Sequence, residues 1–371
     1  MKIFLVYASA GAGHLKAAEA LYKHIKERHK EYDVRLIDVL DYASYFFRFS
    51  YTSGYSFLIN HAVFLWKIVF YATEFGFLRS VTRAIASFMN RLNTKKFIGF
   101  LCKENPDLII STHFLTSEIP AFLKNSGKID SRLITVITDF GVHPFWISSG
   151  TDQYIVASDL TKKILVEQGI DGNIIKVLGI PIDPKFLKHY DRAALSSKLG
   201  IDKDKFTILV VTGSFGLGPI EKIVDLLHDD VQILVVCARN QRLYRRLKNK
   251  NYANVSVFGF VDNIQELMSA SDIIITKPGG LTSSEVLAVG IVPIFISAIP
   301  GQETENVKTL ESYGVGISVK NISRIKEIVL DYKEHPDNFR KTRENINAIK
   351  KPFATEEICN AVCKDSSWAS G

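Results

Sequence analysis

Short runs of β-branched and aliphatic residues alternate with helical stretches along the whole chain, and this alternation constrains the fold more than any other feature. Strands that alternate with helices predict parallel sheets covered by helices. A first helix is predicted over His14–Lys30, where apolar residues recur on one face. In the first half the predicted strands are Lys2–Tyr7, Val34–Val39, Leu108–Ser111, Leu133–Thr138, Gln153–Ala157 and Ile175–Leu178. In the second half they are Thr207–Thr212, Val231–Cys237, Val255–Phe258, Ile273–Thr276, Val292–Ile296 and Gly316–Val319.

The two sets of strands predict two domains. A chain of 371 residues is too long for one ordinary domain, and a polar stretch from Pro184 to Phe206 separates the two sets. We therefore predict an α/β protein with two doubly wound, Rossmann-like domains that face each other across a cleft. The predicted parts are residues 1–190, residues 191–350 and a C-terminal helix within 351–371 that returns to the first domain. Ligands of such sheets bind outside the carboxyl ends of the strands.

The net charge of +7 is concentrated in one segment. Between Tyr42 and Leu101 there are seven basic residues, one acidic residue and 17 of the 41 aromatic residues. The uncharged run Phe49–Trp66 contains too many polar residues for a membrane span, so we expect a helix that lies in the headgroup plane of an anionic bilayer. Packing of these aromatic residues in the core of a helical insertion is the alternative. Nucleic-acid binding is not expected, because the basic residues are spread out and no binding motif accompanies them.

The remaining composition indicates a folded protein of the cytosol. The four cysteines are too few and too scattered for a disulfide scaffold or a zinc site. The apolar run after Lys2 is too short for a signal peptide and is predicted to be the first strand.

The first strand ends in the glycine turn Ser9–Gly13, directly before His14. Such a turn lets a negatively charged ligand approach the free N–H groups of a helix start. A dinucleotide site would need a third glycine where Lys16 stands, although Asp38 supplies the acid expected at the next strand. A ligand-binding turn and a plain packing turn both stay open. His14 is a candidate general base near neutral pH.

The fourth strand is followed by Asp139 and then by His143, Pro144, Phe145 and Trp146. An imidazole beside two bulky aromatic rings suits a group that binds or orients an acceptor. Core packing explains the aromatic rings equally well, and for Asp139 the alternative is capping of a helix or turn.

Four loops of the second half contain donor-binding candidates. The glycine-rich loop Thr212–Pro219 suits a phosphate cradle, and Arg239 follows the next strand. The backbone around Phe260 is a candidate nucleobase contact. The loop Lys277–Glu285 has glycines at a helix start and a carboxylate one turn later, where a ribose diol would donate two hydrogen bonds. After the fifth strand come candidate contacts to sugar hydroxyls, namely Gln302, Glu303, Glu305 and Asn306.

Taken together, these motifs resemble those of the monogalactosyldiacylglycerol synthase and bacterial diacylglycerol glucosyltransferase family, which is related to the lipid-linked N-acetylglucosaminyltransferase of peptidoglycan synthesis. The resemblance covers nearly the whole chain, through the segments GAGH, TDFGVHPFW, GIPIDPKF, GSFGLGP, KPGGLTSSE and PGQETEN. It implies a GT-B fold and an inverting transfer of a hexose from UDP-glucose or UDP-galactose to diacylglycerol or a glycosylated diacylglycerol. It also implies a cytoplasmic enzyme attached peripherally to anionic lipids at the inner face of the cell membrane.

The resemblance implies roles for individual residues. His14 and Asp139 match positions that activate the acceptor, with His14 as the preferred base. The acceptor-binding positions are Gly13, His143, Pro144, Phe145 and Trp146. Glu285 matches the residue that holds the ribose, and the family usually has glycine where Thr212 and Ala238 stand. The donor-binding positions are Gly213, Ser214, Phe215, Gly216, Arg239, Phe260, Val261, Gly279, Gly280, Leu281, Thr282, Glu285, Gln302 and Glu303.

No metal or other cofactor is expected. Helix N-termini and Arg239 could neutralise a departing UDP, and Asp202 and Asp204 lie in the polar linker, where we expect them to be solvated. The alternative functions are a UDP-sugar 2-epimerase-like isomerase, a glycosyltransferase with a polyprenyl-linked acceptor and a non-catalytic sensor of UDP-sugars. The basic aromatic segment argues against an epimerase, whose soluble substrate needs no membrane contact.

Overall fold

The computed structural model describes residues 1–9, 11–54 and 76–363. The chain divides into two compact units. The first comprises Met1–Asp183, Ile299–Asn306 and Phe353–Gly371, and the second comprises Pro184–Ala298 and Val307–Pro352. The segment Ile299–Asn306 therefore belongs to the first unit, although its neighbours in the sequence belong to the second.

The first unit contains a six-stranded parallel sheet with the order β2-β1-β3-β4-β5-β6. All six strands predicted for this half are confirmed, with ends that differ by at most two residues. The strands are β1 (Lys2–Tyr7), β2 (Asp33–Asp38), β3 (Leu108–Ser111), β4 (Arg132–Val136), β5 (Gln153–Val156) and β6 (Ile175–Val177).

Successive side chains of β1 lie on opposite faces of this sheet and belong to separate core clusters. Ile3 and Leu5 pack with helices α1 (Ala12–Arg28) and α15 (Ala354–Cys363). Phe4 and Val6 pack with α4 (Lys95–Glu104) and α5 (Phe114–Asn125). Both faces are thus covered by helices, as a parallel sheet requires. The other helices described in this unit are α2 (Tyr45–Phe49), α3 (Gly76–Asn93) and α6 (Asp159–Glu167).

The predicted insertion 42–101 is described at both ends. Its described elements are α2, a π-helical turn over Ser50–Gly54, α3 and α4. Residues 55–75, which include most of the predicted interfacial run, lie outside the described residues. Among the helices that the structure describes, none is long and apolar enough to cross a membrane.

The second unit contains a parallel sheet with the order β12-β11-β10-β7-β8-β9. The six predicted strands are again confirmed, as β7 (Thr207–Val211), β8 (Gln232–Val236), β9 (Val255–Phe258), β10 (Ile273–Thr276), β11 (Val292–Ile296) and β12 (Ile317–Val319). Four of them are buried along their whole length, as expected for strands covered on both faces. The accompanying helices are α7 (Arg192–Leu199), α8 (Ile220–Leu227), α9 (Gln241–Lys250), α10 (Ile264–Ser269), α11 (Gly280–Val289), α12 (Gln302–Ser312), α13 (Arg324–Glu334) and α14 (Pro336–Ile349).

Candidate active site

In each sheet the strand order reverses at one place, and the predicted motifs follow the strands at that place. The first sheet reverses between β1 and β3, and the second reverses between β7 and β10. The loops that leave two such strands turn to opposite faces and open a crevice at the carboxyl edge. The turn before His14 follows β1, whereas the two glycine-rich loops follow β7 and β10.

His14 lies in the first turn of α1 and is held by two groups at the carboxyl ends of neighbouring strands. Its Nδ1 lies 2.9 Å from the carbonyl oxygen of Thr112 and 2.8 Å from Oγ1 of Thr138. Because a carbonyl oxygen can only accept, Nδ1 carries the proton and Nε2 is the basic nitrogen. The Thr112 hydroxyl in turn donates to the main-chain oxygen of His14, at 2.9 Å. This arrangement orients the imidazole without a carboxylate at Nδ1.

Burial lowers the pKa of His14, and the nearby Asp139 carboxylate and the Thr112 carbonyl oppose that shift. The imidazole is therefore neutral at physiological pH, which is the state that a general base requires.

His113 is a further histidine at this site, and the sequence reasoning missed it. It follows β3, is 2 % exposed, and its ring meets that of His14 edge to face at 4.6 Å. Its Nδ1 accepts the N–H of Leu115 at 3.1 Å and so caps α5. Burial, followed by the neighbouring His14, holds the pKa of His113 well below its ordinary value. Its position at the carboxyl end of a predicted strand was the signal that could have found it.

Asp139 is 7 % exposed and shares its environment with His14, Asn306 and Trp146. Burial raises the pKa of its carboxyl group, while His14, the amide of Asn306 and the indole of Trp146 act in the opposite direction. Oδ1 accepts a hydrogen bond from Asn306 Nδ2 at 3.1 Å. Within the described part of the chain, Oδ2 is buried and has no hydrogen-bond partner. The indole Nε1 of Trp146 is also buried without a hydrogen-bond partner of ordinary geometry, and it is the donor that acts on the pKa of this carboxyl group.

Asn306 does not face a ligand. Its side chain is fully buried, with Oδ1 accepting the N–H groups of Phe140 at 2.7 Å and Gly141 at 3.0 Å. The sugar contact predicted for Asn306 is therefore wrong, because a side chain with no exposed surface cannot touch a sugar.

The segment after Asp139 is more buried than an acceptor surface would require. Trp146 is fully buried in a core cluster that includes Val142 and Tyr154, in line with the core-packing alternative. His143 is buried, accepts the N–H of Phe145 at Nδ1 and packs its ring against that side chain at 4.6 Å. Pro144, Phe145 and Gly13 are partly exposed, and their roles toward an acceptor stay predictions.

The loop after β7, which is the predicted phosphate cradle, contains glycines in conformations that other residues rarely adopt. Gly213, Gly216 and Gly218 all have positive φ, at 82°, 58° and 124°. A Cβ on Gly216 would lie 2.2 Å from the carbonyl oxygen of Cys237, so only glycine fits there. Ser214 is partly exposed, whereas Phe215 is exposed at the tip of the loop.

Arg239 lies beside this loop, because its N–H donates to the carbonyl oxygen of Ser214 at 3.3 Å. Its side chain is exposed and forms no ion pair with a described residue. Ala238, the residue before Arg239, has φ of 48° and so adopts the left-handed conformation that favours glycine. The resemblance implied a glycine at this position. The backbone turn that presents Arg239 is therefore formed without that glycine.

The loop after β10 brings the remaining donor candidates to the start of α11. Gly279 caps the helix and Gly280 begins it, so the N–H groups of the first turn have no partner within the helix. Leu281 is 9 % exposed, and Thr282 and Glu285 are partly exposed. Phe260 and Val261 follow β9, and Phe260 is 60 % exposed.

Gln302 and Glu303 begin α12 within the segment that belongs to the first unit. Both are partly exposed, and Glu303 Oε2 accepts the N–H of Ile299 at 2.7 Å. Asp202 and Asp204 are exposed in the linker, as predicted, and Asp202 Oδ1 accepts the N–H of Asp204.

Two doubly wound parallel sheets, with His14 and the glycine-rich loops after the strands at which the order reverses, are the arrangement of the GT-B fold. The family model of monogalactosyldiacylglycerol (MGDG) synthase matches residues 14–182, and that of the glycosyltransferase family 28 C-terminal domain matches residues 207–356. A processive diacylglycerol beta-glucosyltransferase of Bacillus mycoides is 31% identical over 98% of this chain and 94% of its own length. The chain belongs to this family of diacylglycerol glycosyltransferases.

Solved structures support the fold. MurG of Acinetobacter baumannii matches with a TM-score of 0.61 at 14% identity, over 98% of this chain and 99% of MurG. A UDP-GlcNAc 2-epimerase of Neisseria meningitidis matches with a TM-score of 0.62 at 14% identity, over 98% of this chain and 100% of the epimerase. Because one fold carries both activities, the fold alone does not select between them.

Proposed function

We propose that this protein transfers a hexose from UDP-glucose or UDP-galactose to diacylglycerol, or to a glycosylated diacylglycerol, with inversion at the anomeric carbon. The observation that carries the proposal is the kinship with a processive diacylglycerol beta-glucosyltransferase over 98% of the chain. The partly exposed His14, the buried Asp139 and the glycine loops supply the groups that this reaction needs.

In the proposed reaction His14 Nε2 takes the proton of the acceptor hydroxyl while its oxygen attacks the anomeric carbon. The bond from that carbon to UDP breaks in the same step, and attack opposite the leaving group inverts the configuration. Asp139 stabilises the imidazolium that forms, and the N–H of His14 to Thr112 keeps the ring in the productive tautomer.

On the donor side, the leaving diphosphate gains negative charge as its bond to the sugar breaks. The main-chain N–H groups of the loop 213–216, the first turn of α11 and Arg239 are the groups that would stabilise this charge. Glu285 would accept hydrogen bonds from the ribose, and Phe260 and Val261 would contact the nucleobase. Gln302 and Glu303 would contact the sugar.

A transfer assay with radiolabelled UDP-glucose and UDP-galactose and vesicles that contain diacylglycerol tests the proposal. Label in the lipid phase, with a β-linkage by NMR, is the expected result. We expect His14→Ala to lower kcat by about 10²–10⁴-fold with unchanged UDP affinity by calorimetry. His24→Ala, which changes a histidine of the same helix farther along the chain, serves as the matched control and should retain activity.

Two outcomes would contradict the proposal. Label that appears only in free sugar or in an epimer of the donor would exclude the transfer and favour the isomerase. A His14→Ala protein with full turnover would exclude His14 as the base, whichever sugar is transferred.

We also propose that the protein docks on anionic lipid at the inner face of the membrane through α2, α3 and the start of α4. Ser44 before α2 is hydrogen-bonded to Asn93 at the end of α3, so the start of α2 lies at the end of α3. Isolated exposed apolar residues are ordinary, but a cluster of this size indicates an interaction surface. The exposed apolar side chains are Tyr45, Phe46, Phe49, Ile85, Phe88, Met89 and Leu92. Lys95 and Lys96 are exposed next to them and suit anionic headgroups.

Sedimentation with vesicles of phosphatidylglycerol and of phosphatidylcholine tests this surface. We expect Phe46→Asp and Phe88→Asp each to weaken binding about tenfold or more, because each phenylalanine contributes roughly 1.5–3 kcal/mol when it leaves water. Phe353→Asp is the control, since Phe353 is 55% exposed, close to the 59% of Phe88, but lies outside these helices. Equal losses for all three variants, or equal binding to both lipids, would contradict the proposed surface.

A further inference from the structure

The amide of Asn306 has only one orientation that satisfies its neighbours. Two backbone N–H groups, those of Phe140 and Gly141, converge on one side of it at 2.7 and 3.0 Å. Because N–H groups need an acceptor, the oxygen of the amide must face them. The NH₂ group therefore faces Asp139 and donates to its Oδ1 at 3.1 Å.

This orientation decides where Asp139 can carry a proton. The NH₂ group of Asn306, which can only donate, is hydrogen-bonded to Oδ1 of Asp139, so Oδ1 must accept and cannot carry a proton toward this group. A proton on Asp139 must therefore be on Oδ2, the buried oxygen that has no hydrogen-bond partner among the described residues. Donation from Asn306 stabilises the ionised carboxylate against the cost of its burial.

The approach of this segment to the loop after β4 is too close for other residues. A Cβ on Gly141 would lie 2.3 Å from Cβ of Glu305, the residue before Asn306. The backbone of the loop is thus held against the start of α12, which also carries Gln302 and Glu303. The titratable groups on the elements packed here are His14 on α1, His113 at the start of α5, His143 in the following turn and Glu305.

We propose that Asn306 is a positioning residue that keeps Asp139 ionised and oriented as the partner of His14. The proposal deepens the proposed glycosyl transfer and rests on it, because the base pair is the one assigned there. Asn306 touches neither acceptor nor donor, since its side chain has no exposed surface. It acts on His14 through Asp139, and the N–H groups of Phe140 and Gly141 fix the orientation of its amide.

Asn306→Asp is the decisive variant, because it has the same shape and keeps one oxygen for the two backbone N–H groups. Its second oxygen faces Oδ1 of Asp139, and two carboxylates at that distance share a proton. While the proton is shared, Asp139 carries less negative charge toward His14, and its full charge returns only when that proton leaves at higher pH. We therefore expect the acid limb of kcat/KM for transfer to move to higher pH by about one unit or more, with about a tenfold loss at pH 7. The KM for UDP-sugar should change little.

A second measurement does not depend on activity. The folded variant holds a proton on the carboxyl pair of residues 139 and 306, so the pKa of this pair is raised on folding. The variant therefore loses stability as the pH rises through that raised pKa. The difference in melting temperature between wild type and Asn306→Asp should therefore grow from pH 5 to pH 8. Asn345→Asp is the control, because that amide also donates from Nδ2 to a single oxygen, the carbonyl of Gly314.

A purely structural role predicts a different result. In that case Asn306→Asp would keep the pH profile of the wild-type reaction, which would overturn the inference. A wild-type protein that transfers no sugar to lipid would exclude the proposed function, and the melting temperatures would still test whether residue 306 and Asp139 share a proton.

Discussion

The buried His113 leads to a prediction about stability and pH. Its Nδ1 accepts the N–H of Leu115, so protonation would remove the cap of α5 and place a charge beside the ring of His14. The folded state therefore keeps this imidazole neutral, with a pKa well below the ordinary value. The unfolded chain has an ordinary histidine and binds a proton below about pH 6.5. Stability is consequently lost as the pH falls below that value.

The magnitude follows from proton linkage. Below the unfolded pKa, one histidine that stays neutral in the folded state costs about 1.4 kcal/mol per pH unit. Between pH 7.5 and 5.0 the loss from His113 amounts to about 2 kcal/mol. Asp139 acts with the opposite sign, because a raised carboxyl pKa removes stability as the pH rises. Asp139 contributes equally to the wild type and to a variant at His113, so its contribution cancels when the free energies of unfolding of the two proteins are subtracted.

The variant His113→Asn isolates the effect, because the asparagine oxygen can cap α5 in place of Nδ1. Unfolding by urea would be followed through Trp146, which packs near His113, in a background with Trp66→Phe and Trp368→Phe. We expect the wild type to lose about 2 kcal/mol more than His113→Asn between pH 7.5 and 5.0. Equal losses in the two proteins would refute the reasoning.

Two further predictions concern the loops. Gly216→Ala would push its Cβ against the carbonyl oxygen of Cys237, so we expect a loss of about 1–3 kcal/mol in stability and weaker UDP binding by calorimetry. Gly99→Ala is the control, because Gly99 lies in α4 without a positive φ and has no atom within 4 Å of the added Cβ. Equal UDP affinity in both variants would contradict the predicted cradle. Thr138→Val removes the hydroxyl 2.8 Å from His14 Nδ1 and should lower kcat about fivefold at constant UDP affinity. An unchanged kcat would show that the Thr112 carbonyl alone orients the ring.

The predicted strands were all found because their signal is local. A strand buried between helices is a short apolar run such as Ile273–Thr276, and its ends are set by polar or glycine residues next to it in the chain. The start of α1 was less accurate, since it begins at Ala12 rather than His14. The stretch Ile299–Asn306 was placed with the second half, whereas its packing assigns it to the first unit. Nothing in a local pattern records which sheet a connecting segment packs against.

The sequence by itself determined the fold class and the loops that carry the candidate chemistry, because parallel strands expose the residues after their carboxyl ends at one edge. It identified His14 and Asp139 for that reason. Only the tertiary structure decided their partners, since Thr112 lies 98 residues from His14, and Asn306 lies 167 residues from Asp139. The tautomer of His14 and the proton-carrying oxygen of Asp139 depend on those partners. Hydrogen bonds between residues so far apart depend on how the whole chain packs, which no local pattern contains.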